Sequence, residues 1–347
     1  MDLYQHFREQ KLLSQIPSGK IVVAVSGGAD SSALLHLLYR SRSFKKWDVL
    51  VAHIQHNLRG EESLRDQIFV ERFCKRFELP LVVRTIQVRT FAMQNRKKGL
   101  EKRLGVEEAS RILRYEALAK IGWENKARAL FTAHTANDQA ETFFLNLARG
   151  TGTAGLSGIL PLRSLAEITG NQSRDSGTLL ARPLLFASRK EILSYLKQQK
   201  LKFCNDRTNR NLKFRRNWVR HKLIPLLQKV QPKILEKISD FTAIFQREEE
   251  WKNLQLAKME KRLFPKIKDD CTQRKRVLVE AKKTLDLDCF FRYDKIFIYG
   301  LLHRWFPQAS CRTIDQAVTF LEKEKLKGKK KFYPISRRFF QNKPERI

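Results

Sequence analysis

The sequence predicts an α/β protein: a Rossmann-like parallel sheet with helices on both faces, then a helical linker and a small mixed α/β C-terminal domain. Two patterns carry that expectation. Short runs of β-forming residues alternate with amphipathic helical patterns as far as about residue 200, and such alternation builds βαβ units around a parallel sheet. A long helical pattern over about 233–263 then interrupts the alternation and reads as a connector. The expected domains are residues 1–218, 219–265 and 266–347.

The first element is a short helix over 1–18, ended by Pro17-Ser18-Gly19. Ile21-Val22-Val23-Ala24-Val25 follows as a buried strand and runs into Ser26-Gly27-Gly28-Ala29-Asp30-Ser31-Ser32. An apolar helical pattern (Ala33, Leu34, Leu35, Leu37, Leu38) comes straight after. A strand, a tight turn and a helix N-terminus together collect phosphate on free backbone N–H groups. No Lys-Ser/Thr follows the glycines, so this is not a Walker A loop. Asp30 beside the turn suits either a Mg²⁺ ion or the orientation of a nucleotide.

Asp48–Ile54 is the second strand, leading into His53-Ile54-Gln55-His56-Asn57-Leu58-Arg59-Gly60. His53 and His56, three apart on a strand, face opposite sides and do not make a zinc site. Their expected role is structural, whereas Arg59 is a candidate contact to nucleotide or RNA. A helix over about 62–78 and a third strand over Leu79–Val88 come next. A basic loop (Arg96, Lys97, Lys98, Lys102, Arg103) then leads to a helix near 106–121, where Glu107, Arg111 and Arg114 share one stripe. Two arginines on a stripe can clamp phosphate oxygens; an exposed Glu–Arg pair is the alternative.

The fourth strand, Arg128–Ala133, ends at His134, and a helix runs from there to Arg149. On it, Ala136, Ala140, Phe143, Phe144 and Leu147 fall on one face at spacings of three and four, which places Asp138 and Glu141 together on another stripe. His134, Asp138 and Glu141 at a helix N-terminus can bind a metal, take a proton or hold an ammonium group; acids that only complement the helix dipole are the plainer option. The polar stretch 164–178 is expected to be an exposed loop, Leu179–Leu185 a last strand and 188–200 a helix. In such a sheet ligands lie at the carboxyl ends of the strands, where Ser26–Ser32, His53–His56 and His134 all fall.

The chain carries 69 Lys and Arg against 36 Asp and Glu, a net charge of +33. An excess this large points to a polyanionic partner, with nucleic acid ahead of a membrane surface. Residues 201–230 concentrate it, with nine Lys/Arg and Asp206 as the sole acid. There Arg207, Arg215, Arg216 and Arg220 alternate with Phe214 and Trp218, a mixture that grips phosphates and stacks on bases; a basic linker with Asn217 capping a helix is the alternative. No run of roughly 20 apolar residues suggests a membrane span. The five scattered cysteines suggest reduced thiols in a cytoplasmic protein.

In order and spacing, these segments resemble the N-type ATP pyrophosphatase (PP-loop) superfamily, and within it the tRNA(Ile)-lysidine synthetases. The resemblance covers about residues 20–225. It rests on Ser26 to Ser31, His53 to Arg59, Glu107 to Tyr115, Thr132 to Thr142, Arg149-Gly150-Thr151-Gly152, Arg182-Pro183-Leu184-Leu185 and Asp206 to Arg220. What it implies is ligation of free L-lysine to carbon 2 of the wobble cytidine of tRNA(Ile) with a CAU anticodon. ATP first adenylates the base with release of pyrophosphate. The lysine ε-amine then displaces AMP, forming lysidine and changing decoding from AUG to AUA. By the same resemblance, pyrophosphate lies on Ser26, Gly27, Gly28, Ala29, Asp30, Ser31 and Ser32, with Mg²⁺ near Asp30. Arg111 and His134 steady the phosphates, Asp138 and Glu141 hold the lysine, and Arg59, Arg207, Arg215, Arg216 and Arg220 meet the tRNA. Thr135 and Asn137 depart from the His-His-Ala-Asp-Asp common in the family. The rival expectations are a tRNA-thiolating member, which needs paired reactive cysteines, and a basic RNA-binding protein with a vestigial loop. Monomer and homodimer both remain open.

Overall fold

The computed structural model describes residues 2–56, 61–97, 105–169, 177–204, 214–263, 285–306, 309–328 and 331–332. The chain divides into two compact units, Met1–Gln246 and Arg247–Ile347, with the division falling inside one long helix.

The first unit is built on a six-stranded sheet of order β3-β2-β1-β4-β6-β5. Its strands are β1 (Gly19–Ala24), β2 (Trp47–Gln55), β3 (Leu81–Thr85), β4 (Ala129–Phe131), β5 (Leu162–Ser164) and β6 (Leu179–Ala181). All neighbours pair in parallel except β5, which lies antiparallel to β6 at the edge. Ile21, Val22 and Val23 of β1 are fully buried, as a continuous apolar run must be when helices cover both faces. Ile21 and Val23 point into a core shared with α1 (Leu3–Arg8), α2 (Lys11–Ser14), α3 (Ala29–Lys45), α4 (Glu61–Arg76) and, beyond the sheet, α10 (Arg189–Gln198). Val22 points the other way, onto α5 (Val88–Lys97), α6 (Val106–Glu124) and α9 (Leu165–Thr169). The strand order reverses between β1 and β4, and that reversal opens a crevice at their carboxyl ends.

Several expectations need correction. Residues 1–18 form two short helices instead of one. The supposed basic loop begins as α5, because Val88 is buried and Phe91 packs beside it against the sheet. Residues 98–104, including Lys98, Lys102 and Arg103, lie outside the described residues. The stretch from 164 is not a loop at its start: Leu165 and Ala166 are buried in α9, and a short apolar-polar pattern gave no sign of edge strand β5.

Past β4, α7 (Ala136–Arg149) and α8 (Thr153–Leu156) precede the edge strand. After α10, the helical segment α11 (Arg215–Trp218) passes through a π-helical turn over Val219–Leu223 into α12 (Ile224–Val230). Asn217 is therefore inside a helix, and Phe214 takes the capping position. Val219 and Ile224 pack with Ala136 and Ala140 of α7 and with Leu235 and Ile238 of α13 (Ile234–Leu263). Gln139 is buried in α7 and pins this corner: its amide donates to Thr242 Oγ1 at 2.9 Å and accepts from the Ile159 N–H at 2.6 Å.

The second unit is a small helical assembly with a two-stranded antiparallel ribbon, Leu285–Asp286 against Lys331–Phe332. Leu256 and Met259 from the distal part of α13 pack on Leu287, Phe290, Ile298, Leu301, Leu302, Ile314, Val318 and Leu321.

Candidate functional site

The phosphate loop is held by its own hydroxyls. Gly27 takes φ +89°, a conformation open to glycine at little cost, and its carbonyl accepts from the Cys204 N–H at 2.9 Å. The Ser26 N–H donates to Ser31 Oγ at 3.2 Å, and Ser31 Oγ in turn donates to the Gly28 carbonyl at 3.0 Å. Ser32 Oγ reaches the Gly27 carbonyl at 3.4 Å. Gly28 precedes α3 and offers no side chain to cap it, so the first-turn N–H groups of a long helix stay available for an anion.

Asp30, in that first turn, sits 2.5 Å from Arg189 Nη1 through Oδ1. Burial raises the Asp30 carboxyl above its ordinary range, against the lowering pull of Arg189. Arg189 is itself placed by Asn137, whose side-chain oxygen accepts the Arg189 N–H at 2.9 Å. The sequence reading missed Arg189. Its only signal was a basic residue at the start of the last βα turn, where ligands gather.

β1 and β4 pair with Val23 opposite Phe131, and continuing that register beyond the strands brings the loop level with His134. His134 Nδ1 lies 3.1 Å from Thr132 Oγ1. Burial, reinforced by Arg182, Arg114 and Arg216, pushes its imidazole well below the ordinary range despite Asp138, so it is neutral at pH 7. Thr135 caps α7 in a reciprocal box: the Thr135 N–H and Oγ1 both donate to Asp138 Oδ2 at 2.9 Å. Burial opposes ionisation of Asp138, but its carboxyl is held below the usual range by Arg216, the Thr135 N–H and Arg220.

Glu141 is fully buried, so its stripe is not a solvent face. Arg216 Nε donates to Glu141 Oε2 at 2.6 Å and Arg220 Nε to Oε1 at 2.5 Å, while Arg216 Nη2 reaches Asp138 Oδ1 at 2.9 Å. Two arginines expected on an RNA-facing patch thus cover the two acids. On the other side of the same segment Phe214, Arg215 and Trp218 are exposed. Arg59 and Arg207 lie outside the described residues. Arg111 is exposed, its guanidinium carbon 5.6 Å from the Tyr115 ring centre, and Arg114 lies at the same distance from that ring.

The histidines at the end of β2 and just beyond it have structural partners. His53 Nδ1 meets the Val25 carbonyl at 2.8 Å and His56 Nδ1 meets Ser110 Oγ at 2.8 Å. Among the described residues no group of three or more His, Cys, Asp and Glu is placed to hold a metal. A Mg²⁺ ion at Asp30 therefore needs most of its ligands from phosphate oxygens and water, which is its usual habit. No helix among the described residues is long and apolar enough to cross a membrane.

The arrangement joins an anion-receiving helix N-terminus to a cation-receiving acid pair in one crevice. A tRNA(Ile)-lysidine synthase of Lactiplantibacillus plantarum is 37% identical over 67% of this chain and 46% of its own length. One of Thermosipho africanus is 33% identical over 81% of this chain and 61% of its own, and one of Porphyromonas gingivalis 38% identical over 67% and 45%. The chain thus spans about half the length of these relatives. Among solved structures, the U34-tRNA thiolase NcsA from Methanococcus maripaludis, with its [4Fe-4S] cluster, superposes with a TM-score of 0.54 over 70% of this chain and 78% of that one. At 16% identity that likeness shows the fold alone. A family model described as the PP-loop domain matches residues 3–227, from the first helix through the phosphate loop and the acid pair to the arginines that cover it. The chain belongs to the PP-loop domain family.

Proposed function

We propose that this chain ligates lysine to carbon 2 of the wobble cytidine of a CAU-anticodon isoleucine tRNA, using ATP. The observation that carries the reading is the shared crevice: an open α3 N-terminus faces the turn bearing His134 and, one turn on, Asp138 and Glu141. In the first step the cytidine O2 attacks the ATP α-phosphorus and pyrophosphate leaves onto the loop. Ser26, Ser31 and the first-turn N–H groups of α3 receive its charge, and Arg111 closes over the phosphates. Asp30 would hold a Mg²⁺ ion, which would supply further charge neutralisation there. Neutral His134 serves as a hydrogen-bonding group toward the phosphates. In the second step the lysine ε-ammonium, seated against Asp138 and Glu141, gives a proton to the Glu141 carboxylate, and its nitrogen attacks carbon 2 as the C2–O2 bond breaks and AMP leaves with the bonding pair. Asp138, kept ionised by its neighbours, holds charge and is a poor proton acceptor.

Sulfur transfer is the weaker reading. Cys204 packs beside Gly27, but burial and Asp66 push its thiol up to about 11, and burial drives Cys74 to about 12; neither is poised as a thiolate. Phe214, Arg215 and Trp218 support an RNA contact, as does the charge of the chain.

The test uses the purified full chain with ATP, Mg²⁺, lysine and an isoleucine tRNA transcript. Pyrophosphate exchange should require tRNA, and AMP release with incorporation of labelled lysine should require both tRNA and lysine. Asp30→Ala should abolish exchange, while Glu141→Ala should impair lysine transfer more than exchange. Absence of tRNA-dependent lysine incorporation would sink the reading, and equal exchange by the two variants would refute the division of roles.

A further inference from the structure

A second concentration of charge stands in the same crevice without a counter-ion. Arg182 follows β6 directly and is 4% exposed. Its Nη1 donates to the Leu160 carbonyl at 2.6 Å, but its Nε has no hydrogen-bond partner among the described residues. No carboxylate pairs with it among the described residues. Tyr115, also 4% exposed, has its hydroxyl beside that guanidinium. Arg111 and Arg114 flank the same phenol ring. Burial, with Arg111 and Arg163 adding to it, holds the Arg182 guanidinium below its usual range against the opposing influence of Tyr115. A buried cation with no carboxylate against it destabilises a fold, and such a group is commonly retained where a ligand completes it.

The position says which ligand. β4 and β6 pair with Phe131 opposite Ala181, so Arg182 stands beside Thr132, two residues before His134. The Thr132 N–H donates to the Ala181 carbonyl at 3.0 Å, which fixes that neighbourhood. Arg182 is therefore on the β4–β6 side of the crevice, with the acid pair, whereas the phosphate loop belongs to β1 on the far side of β4. The open Nε edge of a guanidinium and a nearby phenol donor suit a planar two-oxygen acceptor. We propose that Arg182 and Tyr115 receive the α-carboxylate of the amino-acid substrate, while Asp138 and Glu141 receive its side-chain ammonium. The inference rests on the lysine-transfer reading above and assigns the other end of that substrate.

The test compares Arg182→Gln and Tyr115→Phe with the unaltered full-length protein, using lysine and cadaverine, which is lysine without its carboxylate. The unaltered protein should prefer lysine. Both variants should raise the KM for lysine about tenfold or more and shrink its advantage over cadaverine, with the KM for ATP in tRNA-dependent pyrophosphate exchange within about twofold of the starting value. Tyr115→Phe removes one oxygen and keeps the ring, so it tests the idea even if Arg182→Gln fails to fold. A raised KM for ATP with unchanged lysine KM would make this a phosphate subsite and overturn the proposal. Equal losses with lysine and cadaverine would reduce both residues to structural roles. No lysine transfer by the unaltered protein would remove the functional reading itself, a failure distinct from loss of discrimination in the variants.

Discussion

Gly27 and Gly28 look equivalent in the sequence and are not equivalent in the chain. Gly27 holds φ +89°, and a Cβ there would meet Phe69 at 3.4 Å; Gly28 meets only Ser26 Oγ, at 3.6 Å, on ordinary backbone. Gly27→Ala should lower stability by about 1–2 kcal/mol through αL strain and weaken ATP binding. Gly28→Ala should cost far less, as urea midpoints will report. His36 sets a second residue-scale outcome. Its Nδ1 lies 2.7 Å from the Tyr195 hydroxyl, and burial, aided by Arg40 and Arg76, lowers its pKa from 6.5 to about 4. The native state therefore binds fewer protons than the unfolded chain between those values. The stability His36 contributes is complete above about pH 6.5 and is lost as pH falls toward 4, on the order of 3 kcal/mol in all. His36→Gln should flatten that part of the stability profile, and neutral His134 works in the same direction.

At the scale of elements, the pairing of α7 with the α11–α12 segment is the feature that the sequence hid. The strands and the phosphate loop were legible because each is signalled locally, by apolar runs that end in glycine or histidine. The acid pair was legible too, through its spacing of three. Its partners were not: Arg216 is 75 residues from Glu141, and an Arg-rich segment on a basic chain reads first as a face for RNA. Edge strand β5 and helices α5 and α9 were missed for a related reason, since burial against the sheet overrode weak local patterns. The pairing makes a direct prediction. Replacing both Arg216 and Arg220 with alanine leaves Glu141 buried and uncompensated, and should destabilise the chain by about 3 kcal/mol. Adding Glu141→Gln should restore much of that, measured by chemical denaturation; no rescue would mean that the arginines act through packing alone.

Over the whole molecule, a net charge of +33 makes any tRNA affinity a function of salt. If about six phosphates are contacted, binding should fall on the order of a thousandfold between 50 and 200 mM salt; filter binding across that range checks it. The charge also bears on the covered acid pair. Asp138 and Glu141 together carry two negative charges, and Arg216 and Arg220 already answer them. An arriving ammonium meets no vacancy there, so it must exchange with a guanidinium. Seating lysine then becomes a contest between two cations, and a polyanion that draws the arginines outward takes the side of the newcomer. Equilibrium dialysis with labelled lysine should accordingly show tighter binding when tRNA is present, and Arg220→Ala, which loosens one of the incumbents, should narrow that difference.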